Sequence, residues 1–137
     1  MNRENLEKFF NDDLGSSYFP ILAEEYLKNG DYKRAKKVCN IGLLLNPDNN
    51  DGKFILAKIE MIYGDAPKAA SLLKNIIDKD VLYLNATRML IMYYNTSGTN
   101  QISTLKLVKN ILDLIPDDEY ANEILKSIQK SVKKRKP

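Results

Sequence analysis

Apolar positions along this chain fall three and four residues apart. Phe19, Leu22, Ala23 and Tyr26 form one such run, Ala35, Cys39, Gly42 and Leu43 a second, with Asn29-Gly30-Asp31 between them. That spacing places side chains on one face of an α-helix, and the polar break with glycine supplies a turn. The segment therefore predicts a helix, a turn and a second helix. Gly30, Gly64 and Gly98 recur every 34 residues, and Leu22, Leu56 and Leu90 keep the same interval in the same phase. Two residue types in one register predict an internal repeat, whose two-helix units bury their apolar faces by stacking on one another. Ala23, Ala35, Gly42, Ala57 and Ala69 mark where helices approach most closely. Alternation of the β type is absent, so the fold class is all-α.

The repeat register divides the chain into 16–49, 50–83 and 84–117, read together as one domain spanning 1–137. The third repeat is one residue long through Thr99-Asn100-Gln101, which sets its closing proline at Pro116. Residues 1–15, with Leu6, Phe9, Phe10 and Leu14, predict a half-repeat helix that covers the first repeat. Residues 118–137 predict a capping helix with a basic tail: Asp117, Asp118 and Glu119 favour its N-terminus through the helix dipole, and Tyr120, Ile124, Leu125, Ile128 and Val132 form its apolar stripe.

With Phe19, Leu22, Ala23, Tyr26, Gly30, Tyr32, Ala35 and Pro47 in phase, the chain resembles the tetratricopeptide repeat family. The second repeat departs from the pattern, with Lys53, Glu60 and Val81 where the family favours a large apolar residue, tyrosine and proline, which implies a thinner core. The resemblance implies a right-handed α-α superhelix of about three repeats whose first helices line a concave, partner-binding groove. Carried over by phase, the groove positions are Ser17, Pro20, Glu24 and Leu27, then Asp51, Phe54, Lys58 and Met61, then Asn85, Arg88, Met92 and Asn95. Phe54, Met61 and Met92 would form an apolar strip with Lys58 and Arg88 beside it, suited to a peptide with apolar anchors and an acidic group. The family's carboxylate clamp for chaperone tails is not implied, because Pro20 and Glu24 stand where it needs lysine and asparagine.

Composition narrows the chemistry. There is no histidine and a single cysteine, Cys39. Histidine-based general base catalysis, His/Cys zinc sites, Ser-His-Asp triads and intrachain disulfides are thereby excluded. Cys39 sits at a core position of the first repeat and is expected to be buried and inert. The acidic groups Asp12-Asp13, Asp48/Asp51 and Asp117-Asp118-Glu119 lie at helix boundaries and read as caps rather than metal ligands. No enzyme activity, cofactor or metal is expected.

The net charge is +3, yet Lys130, Lys133, Lys134, Arg135 and Lys136 carry five positive charges, so the chain before them is net negative. The expected function is a protein-binding adaptor that takes a peptide or helix of a partner, with self-association also open to it. The alternative is nucleic-acid or anionic-membrane binding through the basic tail, with the repeats as platform. Met1 to Asp13 lacks the apolar core of a signal peptide, and a lone cysteine suits a reducing compartment, so a bacterial-type cytoplasm is the expected setting.

Overall fold

In the computed structural model, residues 2–98 and 100–135 are described. Among them are eight α-helices and no strand: α1 (Arg3–Asp12), α2 (Phe19–Lys28), α3 (Tyr32–Leu45), α4 (Asn50–Ile62), α5 (Ala66–Lys79), α6 (Leu84–Ser97), α7 (Gln101–Leu114) and α8 (Glu119–Arg135). Five helix starts are set by a side chain that accepts a backbone N–H left over there. Asn2 accepts from Asn5 at 2.9 Å, Asp31 from Arg34 at 3.2 Å, Asn49 from Gly52 at 2.9 Å, Asp65 from Lys68 at 3.2 Å and Asp118 from Ala121 at 2.9 Å. At α4 the cap is thus Asn49 rather than Asp48 or Asp51. Among the described residues no cluster of three or more side chains is suited to a metal ion, and no helix is long and apolar enough to cross a membrane.

The chain divides into two compact units, Met1–Ile76 and Ile77–Pro137, the division falling within α5. In the first, α2 packs on α1, α3 and α4, and α3 on α4. Its core joins Phe10, Phe19, Leu22, Ala23, Tyr26, Ala35, Val38, Cys39, Ile55, Leu56 and Ile59. Phe19 is the centre of this packing. Its ring lies so close to the backbone at Gly42 and Gly52 that a β-carbon at either position would overlap it. Helices α3 and α4 therefore approach α2 through two residues that have no side chain to obstruct the ring.

The second repeat's polar residues do not thin this core by turning outward. Lys53 and Glu60 are both buried, Glu60 to 2% exposure. Burial of a charge requires compensation, and each finds it. The Lys53 ammonium donates to Asn75 Oδ1 at 2.7 Å. The Glu60 carboxylate receives Lys36 Nζ at 2.9 Å and Lys68 Nζ at 3.6 Å. Both lysines reach Oε1 from the solvent side; the contacts are ion pairs without hydrogen-bond geometry, and the approach to Glu60 holds the Lys36 ammonium above its ordinary pKa.

In the second unit α7 packs against both α6 and α8. The buried residues are mainly aliphatic: Ala86, Leu90, Ile91, Tyr94, Leu107, Val108, Ile111, Ala121, Ile124 and Ile128. The α6–α7 turn differs from the earlier ones, where Gly30 and Gly64 alone take positive φ. Here Gly98 (φ +69°) and Asn100 (φ +58°) are both left-handed, a conformation asparagine tolerates better than most residues. Thr99, which the sequence reading placed in the same insertion, lies outside the described residues. On α8 the buried stripe ends at Ile128, and Val132 is 47% exposed, so the expected stripe is one turn too long.

Candidate functional site on the first helices

In the first unit, α2 and α4 bring together most of the groove positions named from the sequence. Glu24 and Lys58 occupy equivalent positions one repeat apart, and stacking sets Lys58 Nζ 3.4 Å from Glu24 Oε2. The same ammonium sits 4.9 Å above the centre of the Phe54 ring, within cation–π range. Leu27 lies one turn beyond Glu24 and Met61 one turn beyond Lys58. Leu27, Phe54 and Met61 are each partly exposed. Asp51 is exposed in the first turn of α4, and Ser17 is exposed at the approach to α2, whereas Pro20 is buried and unavailable. The face thus has a salt-bridged centre flanked by apolar side chains.

Cys39 is fully buried behind α2. Burial pushes its thiol up to about 12, with the negative charge of Glu24 adding to the effect. A thiol so rarely ionised is a poor nucleophile.

In the second unit Arg88 makes a two-point contact with Asp118: Nη1 donates to Oδ2 at 3.0 Å and Nη2 to Oδ1 at 2.6 Å. The hydrogen bond from Arg88 is the main reason the Asp118 carboxyl lies below its usual range, and the Ala121 N–H adds to it. Arg88 is raised by the same bond. This cation clamps α6 to the start of α8 and is already committed to a carboxylate. Met92, Asn85 and Asn95 are exposed on α6. On α8, Lys130, Lys133 and Lys134 are exposed. Arg135 ends the helix, its side chain outside the description, and Lys136 lies outside the described residues.

One feature of the first unit was not nominated from the sequence. A cavity of about 300 Å³ opens between α1 and α2, lined by Leu6, Phe9, Phe10, Ser16, Tyr18, Phe19, Ile21 and Leu22. Phe9, Tyr18 and Ile21 are 44%, 63% and 53% exposed. Its only hydroxyl of serine, Ser16 Oγ, already accepts the Tyr18 N–H at 3.2 Å. The available signal was at the start of α2, where Tyr18, just before the helix, and Ile21 within it extend the apolar surface beyond the stripe needed for the core.

Three helix pairs flanked by single helices, with left-handed glycines at the turns, define a tetratricopeptide-like helical repeat fold. The chain is similar to two crystal structures of MamA, each at a TM-score of 0.75 and 16% identity over 96% of this chain. The match covers 80% of the MamA chain in one and 85% in the other. At that identity the likeness is one of fold. No protein-family model matches the chain, and no curated protein matches it in sequence.

Proposed function

We propose that this chain is a non-enzymatic protein-interaction module that binds a peptide or helix of a partner protein along the face shared by α2 and α4. The observation that carries the reading is the set of partly exposed apolar side chains, Phe54 beneath Lys58 and Leu27 and Met61 one turn along α2 and α4 from the Lys58–Glu24 pair. Pre-ordered apolar side chains lower the entropic cost of binding and suit an anchored peptide. The exposed apolar cavity between α1 and α2 favours the same class of function, since contiguous exposed apolar surface marks interaction sites. The basic residues of α8 support the rival reading less well. They occupy the last turns of a helix, where cations offset the dipole in any protein.

The test compares three folded proteins in affinity capture of partners: the unaltered chain, Phe54→Ser with Met61→Ser, and a chain ending at Gln129. The double variant should lose the captured partner and the truncation should keep it. The reverse order would transfer the function to the tail. Arg88→Glu is unsuited to this test, because it would set a second carboxylate against Asp118 and disturb the docking of α8.

A further inference from the structure

We propose that the α2–α4 face selects segments anchored by apolar side chains and discriminates against acidic ones, because its central cation is neutralised from within. The inference rests on the reading of this face as the binding site. The sequence alone offered Lys58 and Arg88 as receptors for an acidic group. The structure gives each a carboxylate of its own, Glu24 at 3.4 Å and Asp118 at 2.6 Å.

Within the first unit the consequence is electrostatic. An incoming carboxylate that approaches Lys58 meets Glu24 at a similar distance, so attraction and repulsion largely cancel. The pair is about one-third exposed on each side, and such pairs add little to stability. Its effect lies in what it denies to a ligand. Discrimination by an opposing charge is a recognised route to specificity. The Lys58 head is also drawn over Phe54, so the apolar groups beside the pair are the aliphatic stem of Lys58, Phe54 and, one turn along their helices, Leu27 and Met61. Long cationic side chains cover apolar surface in this way while keeping the charged head in water.

The pairing also identifies one residue that sets the preference. Glu24→Gln keeps the shape of the side chain and removes its charge, leaving Lys58 to meet an incoming acid. A phage-displayed library of random 12-residue peptides would be panned against the unaltered protein, Glu24→Gln, and Phe54→Ser with Met61→Ser, each shown to be folded by circular dichroism. The unaltered protein should enrich apolar residues and deplete Asp and Glu. Glu24→Gln should raise the acidic content of the selected pool, and a synthetic acidic peptide from it should bind the variant up to about five-fold more tightly than the unaltered protein. A pool rich in Asp and Glu from the unaltered protein, or no change with Glu24→Gln, would overturn the selectivity while leaving the face as the site. Peptides that bind the Phe54→Ser, Met61→Ser protein equally well, or no enrichment at all, would overturn the site and the selectivity together.

Discussion

In Met1–Ile76 an aromatic ring is set closely against two glycine backbones, and two charged side chains are buried with partners. In Ile77–Pro137 the buried residues are mostly aliphatic, and the charged contact, Arg88 to Asp118, lies at a helix start. Both units build the same helix-turn-helix geometry. The difference teaches that the repeat register specifies where side chains go, while the chemistry that fills those places is free to vary if volume and charge are compensated locally. The first unit is shaped around Phe19 and accommodates a buried Glu60 by ion pairing. The second depends on ordinary aliphatic burial and one two-point hydrogen bond.

The largest effect expected from this contrast is at Phe19. Phe19→Ala should cost about 3–5 kcal/mol, because the ring fills space that glycines cannot close. Chemical denaturation would measure it, and a loss under about 1 kcal/mol would show that α3 and α4 collapse onto α2 without the ring. Next comes Gly42→Ala, with an expected loss of about 1–3 kcal/mol from overpacking. The loss should shrink when Phe19→Leu is also present. Equal losses in both backgrounds would mean the ring is not the obstacle.

In the second unit Asp118→Ala removes a helix cap and the partner of Arg88, and should cost about 0.5–2 kcal/mol. The pH dependence follows from the same residue. Its folded pKa is lowered from 3.8, so its stabilising contribution is complete above that value and is lost as pH falls through the lowered one. Unfolding curves collected from pH 5 downwards, to about pH 1, should show a drop that is reduced in Asp118→Asn. A drop of the same size in the variant would assign the acid sensitivity to other carboxylates. The smallest effect is expected at Glu60. Glu60→Leu should be neutral or slightly stabilising, because well-packed apolar residues often replace buried ion pairs without loss. A clear loss on thermal denaturation would show that the Lys36–Glu60–Lys68 cluster is worth more than its burial costs.

Much of the fold was legible because its signals are local and repeated. The interval between Gly30, Gly64 and Gly98 placed the turns, and the Leu22, Leu56, Leu90 series placed the core side of the first helices. Less of the candidate site could be read. Phase put Lys58 and Arg88 on the first helices of their repeats and could not say what faces them, because an ion pair between residues 34 or 30 apart depends on how successive helices stack. The same limit hid the fate of Glu60. As a departure from a family pattern it suggested a weakened core, and only the approach of Lys36 and Lys68 explains how it stays inside. The α1–α2 cavity was hidden for a different reason, since Tyr18 and Ile21 look like ordinary helical residues until the extent of α1 is known.

The close fit of Phe19 with Gly42 and Gly52 has a consequence for how this sequence can change over time. The three positions come from three different helices, yet the residue at one decides what is tolerated at the others. A side chain gained at 42 or 52 while phenylalanine remains at 19 meets the ring, whereas a smaller residue at 19 makes room for one. Substitutions here should therefore accumulate in an order, with the ring reduced before the glycines are replaced. Among related chains the expectation is a correlation: large aromatics at this place accompany glycine at both partners, and aliphatic residues accompany alanine or larger.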